Sequence, residues 1–207
     1  PDQTIIVKDG RIAEIRPSRP DDDPPICPDC IVMPGLIDAH IHTPPQLAIG
    51  NQRLFSLLYL KYGVTSVRDL GQTDDSIADL QADIAAGRIA GPRMYRCGPV
   101  LDGERPSWPS AMRIVDGSQA ISAVKRLKAS GASCIKTYTG LPRDAFMAAA
   151  AEAKRQGLPL VGHTPHAVNL RDVSDFEVQH FTGLPYLRKP PPIALQSCRR
   201  RRTRKPG

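Results

Sequence analysis

Short strand-like runs alternate with helical segments from Leu36 onward, and this alternation limits the possible fold more than any other feature. Leu36 to His40 is an apolar run typical of a buried strand, and Asn51 to Tyr62 carries leucines at helical spacing. Further strands are predicted at Val64 to Val67, Arg93 to Cys97, Ser133 to Tyr138, Leu158 to Gly162 and Phe176 to Gln179. A strand followed by a helix, repeated in this way, predicts an α/β fold with a parallel sheet and helical crossovers.

Three more helices are predicted between these strands from the residues that can cap them. The predicted N-caps are Thr73, Ser118 and Asp144. Neither a P-loop nor a GxGxxG motif follows a predicted strand, so a nucleotide-binding fold has no support. A (β/α) barrel and an open doubly wound sheet both remain possible at this point, with about six strands.

The chain is predicted to have three parts. In residues 1–33, two β-branched runs joined by Asp9 and Gly10 indicate a hairpin, and Cys30 to Met33 is predicted as a further short strand. Residues 34–187 hold the alternating strands and helices. Residues 188–207 contain eight Lys or Arg, no Asp or Glu and no apolar periodicity, so they are predicted to form a disordered basic tail.

This tail accounts for the net charge of +7, which limits what the charge says about partners. Without it the chain is close to neutral, whereas a nucleic-acid-binding domain usually carries a basic surface. Arg199 to Lys205 can contact phosphates, but no aromatic residue lies among them for base stacking. No run of about 18 apolar residues occurs. We therefore predict neither a nucleic-acid partner nor a membrane span.

The five cysteines are an odd number at irregular spacing. Cys27 and Cys30 form one CxxC pair, but a structural zinc site needs a second pair of ligands. We predict reduced thiols in a turn beside Pro28, with a metal or redox role as the less favoured alternative. This use of cysteine indicates a reducing, cytoplasmic compartment.

Four of the five histidines lie where predicted strands end. His40 and His42 form an HxH pair, whose imidazoles point to one side because side chains alternate along a strand. His163 and His180 follow two later strands, and the carboxyl ends of parallel strands meet at one face of a barrel. The set predicts a cluster of nitrogen ligands for zinc or a related divalent metal. A structural role for all of these histidines is the alternative.

Other residues near these strand ends are candidates for lesser roles. Asp38 has the same parity as the HxH pair and can orient an imidazole. His166 lies farther along a loop, where Pro165 is expected to turn it away from the site. Asp69 ends the second strand and is predicted to have a structural or supporting role. The residues predicted near the mouth of the site, where they can touch a substrate, are Trp108, Tyr138 and Arg105.

Lys136 lies inside a predicted strand, where a buried lysine is costly unless it is paired or neutralised. An ammonium group cannot ligate a cation, so the residue can serve a metal only if it is modified or meets an anion. A snorkelling or salt-bridged lysine is the alternative.

Val32 to His42 reads VMPGLIDAHIH and resembles the first-strand signature of the amidohydrolase superfamily, which is Pro-Gly, an apolar pair, Asp and HxH. Asp9 to Ile15 resembles the small β-sandwich hairpin that precedes this strand in the family, and Gly63 to Asp69 is similar to the second strand. The segments similar to strands four, five and six contain Lys136, His163 and His180. The resemblance covers most of the chain up to residue 187 and favours the branch of imidazolonepropionase and metal-dependent Xaa-Pro dipeptidases.

The resemblance implies a partial (β/α)8 TIM barrel of about six βα units, with part of an N-terminal β-sandwich. It also implies a metal-dependent hydrolase, in which a metal-activated hydroxide attacks an amide or similar C–N or ester bond. One or two divalent ions are expected, with zinc as the expected metal: His40 and His42 would hold the first, and His163 and His180 the second. Lys136, carboxylated by carbon dioxide, would bridge them. The expected partner is a small-molecule or dipeptide-like substrate.

The aspartate that the family places at strand eight has no counterpart, because no Asp or Glu follows Leu187. No catalytic residue is therefore assigned, and the proton-transfer role, typically worth about 10²–10⁴ in rate, is unfilled. We interpret the chain as truncated and predict that it is inactive or poorly folded on its own. The alternatives are a non-catalytic metal-binding half barrel and a structural α/β domain. The specific substrate and the oligomeric state stay open.

Overall fold

The computed structural model describes residues 3–24, 27, 30–44, 51–71 and 76–181. The chain divides between Pro34 and Gly35 into two compact units. The predicted helix cap Thr73 and the predicted tail, residues 188–207, lie outside the described residues.

The first unit is built on an antiparallel hairpin of β1 (Gln3–Lys8) and β2 (Arg11–Pro17). Asp9 and Gly10 connect the strands with φ values of 50° and 70°, as a favoured two-residue hairpin turn requires. The predicted hairpin is confirmed. The further strand predicted at Cys30 to Met33 is wrong, because these residues have no regular secondary structure.

Four of the five cysteines are paired rather than reduced. Disulfides join Cys27 to Cys30, with Cα atoms 5.5 Å apart, and Cys97 to Cys134, with Cα atoms 4.4 Å apart. Both separations suit a disulfide, so the prediction of free thiols beside Pro28 is wrong. The expectation of a cytoplasmic location loses this support and stays a prediction.

The second unit contains two parallel sheets. In the first, β3 (Leu36–Ile41), β4 (Val64–Asp69) and β5 (Arg93–Arg96) are neighbours in that order. The second sheet contains β6 (Leu101–Asp102), β7 (Met112–Arg113), β8 (Ile135–Thr137), β9 (Leu160–Gly162) and β10 (Phe176–Val178). Its strand order is β10-β9-β8-β6-β7, and every pairing is parallel.

Helices accompany these strands as crossover connections. The described α-helices are α1 (Asn51–Lys61), α2 (Ser76–Ala85), α3 (Gly117–Ala129) and α4 (Arg143–Arg155). A short 3-10 turn, Leu170–Asp172, precedes β10. Among the described helices, none has the length and apolar character needed to cross a membrane. The predicted α/β fold is confirmed.

The two sheets meet between β5 and β8. The Arg96 carbonyl oxygen at the end of β5 accepts a hydrogen bond from the Ser133 backbone N–H at 2.8 Å, just before β8 begins. The Cys97–Cys134 disulfide lies beside this bond and is buried with Leu70. The longer strands therefore follow one another as β3-β4-β5-β8-β9-β10, which is consistent with a partial TIM barrel of about six strands.

Two predicted helix caps are wrong, because Asp116 caps α3 in place of Ser118 and no side chain caps α4. Asp116 caps α3, since its carboxylate accepts a hydrogen bond from the Gln119 backbone N–H at 2.8 Å. Ser118 lies inside the helix and donates to Asp116 at 2.7 Å. The helix α4 begins one residue before Asp144, whose carboxylate accepts instead from the Gly117 backbone N–H at 3.2 Å.

The main hydrophobic core lies between the five-stranded sheet and the helices α3 and α4. Phe146 of α4 is fully buried, and its ring meets that of Phe176 in β10 edge-on, with centroids 5.2 Å apart. Small side chains let this helix lie close to the sheet, and the fully buried ones on α4 are Ala145, Ala149 and Ala153. A second cluster around Val67 and Met94 supports the three-stranded sheet.

Replacing Phe146 with alanine tests this core. Phe146→Ala removes a fully buried ring and is expected to lower the free energy of unfolding by about 3–5 kcal/mol, measured by urea denaturation. Met147→Ala is the matched control, because this neighbour on α4 is 37% exposed and should cost much less. Equal losses in the two variants would contradict the described core.

Candidate metal centre

Four imidazoles lie next to one another at the carboxyl ends of β3, β9 and β10. His40 lies in β3 and His42 follows it, His163 comes directly after β9, and His180 comes two residues after β10. Ring centroids are 5.4 Å apart for His40 and His42, 4.5 Å for His40 and His180, and 4.9 Å for His163 and His180. Residues up to 140 positions apart in the sequence thus form one cluster of nitrogen donors.

The hydrogen bonds of His40 and His42 set which ring nitrogen carries the proton. The Nδ1 of His40 lies 2.5 Å from the Gln179 side-chain oxygen, and the Nδ1 of His42 lies 3.2 Å from the Gly71 carbonyl oxygen. Both oxygens can only accept, so both Nδ1 atoms donate, and in the neutral imidazole this leaves a lone pair on Nε2. A second hydrogen bond that orients an imidazole in this way is typical of metal-ligating histidines.

Two buried nitrogens of the same cluster lack a protein partner. The Nδ1 of His163 and the Nζ of Lys136 are buried and have no hydrogen-bond partner within the described segments. Lys136 lies in the fully buried strand β8 and is 1% exposed. Because an unpartnered buried polar group is costly, these two atoms indicate that a ligand or a modification belongs here.

Burial favours the uncharged forms of these nitrogens. It lowers the pKa of His163 to about 4, with a smaller contribution from the positive charge of Lys136. It also lowers the pKa of Lys136 to about 8, and the nearby Arg68 adds to this shift while Glu177 opposes it. The pKa of His40 is likewise lowered, first by burial. Neutral nitrogen bases are the forms that bind metals.

Gly162 makes room for this arrangement. Its φ is 137°, and a Cβ atom there would lie 2.3 Å from the Thr137 carbonyl oxygen and 3.1 Å from the Lys136 Cδ. Only glycine fits a strand end this close to its neighbour. Between His163 and His40, His180 has a φ of 58°, a left-handed conformation that is uncommon outside glycine and often marks functional sites.

Asp69 and Asp38 hold the backbone around the HxH pair. The buried Asp69 carboxylate accepts hydrogen bonds from the Thr43 N–H at 2.7 Å and from the Gly71 N–H at 3.0 Å. It thereby fixes the residue whose carbonyl binds His42. Asp38 accepts from the His40 backbone N–H at 3.1 Å, so it orients the main chain rather than the imidazole.

A network of polar side chains connects β4, β10 and β3. Arg68 pairs with Glu177, and its second guanidinium nitrogen donates to the same carboxylate at 2.8 Å. Gln179 donates to Glu177 at 2.7 Å and accepts from His40. The roles of Gln179 and Gly71 were missed in the sequence. Gln179 could have been identified because it directly precedes His180. The Gly71 carbonyl could not, because a backbone group is not marked by any residue type.

The aromatic residues predicted near the mouth lie against the histidines. Trp108 stacks beside His42 with ring centroids 6.0 Å apart and planes inclined by 15°. Tyr138 lies beside His163 at 4.3 Å. Arg105 is exposed. His166, on the loop after His163, is also exposed.

The donor set fits a divalent metal in its chemistry. Two imidazoles present an Nε2 lone pair, and the orphaned atoms of His163 and Lys136 lie in the same buried region. In the described segments, no group of three or more His, Cys, Asp or Glu side chains has a geometry that could hold a metal ion as it stands.

Adding a methyl group at Gly162 should disrupt the site. Gly162→Ala is expected to lower the free energy of unfolding, because the Cβ would strike the backbone of Thr137. Gly157→Ala is the control: its φ is 66° but nothing lies within 4 Å of the added Cβ, so it should cost only the left-handed strain of about 1–2 kcal/mol. Urea denaturation measures both, and an equal effect of the two variants would refute the close contact.

Comparison with known proteins identifies relatives of known fold. The structure is similar to that of a bottromycin amidohydrolase, with 28% identity and a TM-score of 0.72, over 87% of this chain and 39% of that one. A protein from Bifidobacterium longum described as a candidate prolidase is also 28% identical, with a TM-score of 0.66, over 80% of this chain and 45% of that one. A Xaa-Pro dipeptidase with bound methionine is 20% identical, with a TM-score of 0.61, over 79% and 50% of the two chains, which shows a likeness of fold alone.

The chain spans at most half the length of these three proteins. No curated protein matches it in sequence. Residues 31–183 match the model of the amidohydrolase family, whose members generally bind divalent metals. This match covers most of the chain, agrees with the structural neighbours and includes all four clustered histidines, so the chain belongs to the amidohydrolase family.

Proposed function

We propose that the chain forms the metal-binding part of a hydrolase that cleaves an amide or similar C–N or ester bond. His40 and His42 would hold one divalent ion, and His163 and His180 would hold a second. We propose zinc, because imidazole nitrogens suit this metal. Lys136, carboxylated at Nζ, would bridge them. The observation that carries the proposal is a row of four imidazoles in mutual contact, together with a buried lysine nitrogen near His40 and His163 that has no partner among the described residues.

The protein's own contribution is to hold neutral nitrogen donors in place. Gln179 and Gly71 keep the Nδ1 protons of His40 and His42, which leaves both Nε2 atoms to face a cation. Burial keeps His163 unprotonated near neutral pH, since its pKa is lowered to about 4. A divalent metal bound there would supply a hydroxide nucleophile near neutral pH and polarise the scissile carbonyl.

Lys136 is suited to carboxylation by its buried environment. The lowered pKa of about 8 increases the fraction of neutral amine, which is the form that reacts with carbon dioxide. The reaction forms an N–C bond, releases one proton and yields a carbamate anion. The product would replace a costly buried ammonium group with an anion that two cations neutralise.

The named relatives support a substrate class. By their printed names, one is an amidohydrolase that acts on bottromycin and another is a candidate prolidase. We propose a small-molecule or dipeptide-like substrate for this site.

Removing the HxH imidazoles tests the metal site. After loading with zinc and gel filtration, the double variant His40→Ala/His42→Ala is expected to retain about one zinc ion fewer per chain than the unaltered protein. His166→Ala is the control, because this exposed imidazole lies outside the cluster. Elemental analysis measures all three. Equal zinc content in the double variant and the unaltered protein would sink the proposal.

Carbon-13 NMR with labelled bicarbonate tests the modified lysine. The zinc-loaded protein is expected to show a carbamate carbon signal, and Lys136→Met should remove it. Methionine has a similar volume and no charge, so the buried position should tolerate it and the loss cannot be assigned to unfolding. Lys154→Met, at an exposed lysine of α4, should keep the signal. A signal that survives in Lys136→Met would exclude carboxylation of this residue.

A further inference from the structure

Asp102, at the end of β6, is a fully buried carboxylate whose hydrogen-bond partners among the described residues are all backbone groups. It accepts hydrogen bonds from the N–H groups of Gly103 at 2.9 Å, Ser107 at 2.8 Å and Gly140 at 2.9 Å. No ion pair accompanies it within the described segments. Three such bonds satisfy a buried carboxylate without a cation, so the residue ties the loop after β6 to the turn after β8.

Two glycines allow these segments to approach closely. A Cβ at Gly103 would lie 2.0 Å from the Gly140 carbonyl oxygen, and a Cβ at Gly140 would lie 2.8 Å from the Asp102 carboxylate. Any side chain at either position would force the segments apart. The contact is therefore built into the sequence at three positions.

The segments joined by Asp102 carry the aromatic residues of the candidate metal centre. Ser107 immediately precedes Trp108, whose ring is nearly parallel to that of His42. Gly140 follows Tyr138 by two residues, and the Tyr138 ring lies beside His163. One carboxylate thus binds the backbone close to two aromatic residues, whose rings lie beside His42 and His163.

We propose that Asp102 is a positioning residue that holds Trp108 and Tyr138 as walls of a substrate pocket, and that this pocket takes a flat apolar or aromatic group. The indole of Trp108 is 48% exposed, so it offers a rigid apolar surface directly beside the imidazoles. Flat apolar groups gain most from stacking against such a ring. The substrate part of this inference rests on the proposed function, whereas the positioning part does not.

Fluorescence reports on this pocket alone, because Trp108 is the single tryptophan of the chain. In Asp102→Asn the amide nitrogen cannot accept the Ser107 hydrogen bond, and in Ser107→Pro the donor itself is lost. Quenching of Trp108 by acrylamide is expected to rise in both variants by up to about twofold, since a released indole approaches full exposure.

Asp116→Asn is the matched control, because this carboxylate also accepts a backbone hydrogen bond but caps α3. It should leave the quenching unchanged. Circular dichroism checks that each variant folds. If Asp102→Asn does not fold, Ser107→Pro decides, because it keeps the buried carboxylate. Unchanged quenching in the folded variants would overturn the positioning role.

Calorimetry with two small acids tests the ligand class. The zinc-loaded chain is expected to bind benzoylglycine about three- to tenfold more tightly than acetylglycine, because only the former can stack on the indole. Trp108→Ala should abolish this preference, whereas Tyr95→Ala, which removes a ring that is 44% exposed on β5, should retain it.

Equal affinities for the two acids, or a preference that persists in Trp108→Ala, would overturn the proposed ligand class. A chain that retains no zinc in the elemental analysis would contradict the proposed function instead. Acrylamide quenching would still decide the positioning role in that case, because it needs no metal.

Discussion

Burial of the Lys136 amine is the constraint on which the rest of the site depends. Its strand is covered completely, and the lysine stem lies beside the strand end where the Thr137 backbone requires glycine at position 162. The same burial, together with the lysine charge, keeps His163 neutral. An unmodified ammonium group here, with no partner in the described residues, would destabilise the fold without a compensating interaction. A chemical role for the Lys136 nitrogen would explain why this buried amine lies among the imidazoles.

The side chains of β3 and β10 connect strands that are not neighbours in either sheet. In the described chain, β3 pairs only with β4 and β10 only with β9. His40 nevertheless bonds Gln179 and touches His180. Contacts between polar side chains thus connect these two edge strands, whereas backbone hydrogen bonds connect the other strands. Binding and architecture are therefore coupled, because the groups that bridge the edges are also the candidate ligands.

The sequence predicted the positions of the histidines well because their geometry follows from strand parity and from the common direction of parallel strands. It could not predict that the Gly71 carbonyl binds His42, since a backbone group leaves no residue-type signal. The cap at Ser118 was wrong because Asp116, two residues earlier, competes for the same N–H groups. The strands β6 and β7 were missed because two residues carry no periodicity.

The ion pair between Arg68 and Glu177 has a consequence for solution conditions. The Glu177 side chain is 47% exposed, so dissolved ions can screen its attraction to Arg68. Glu177 holds Gln179, and Gln179 holds the Nδ1 proton of His40. A change in ionic strength therefore affects the orientation of the His40 imidazole through these two hydrogen bonds. No dissolved ion needs to enter the histidine cluster for this effect.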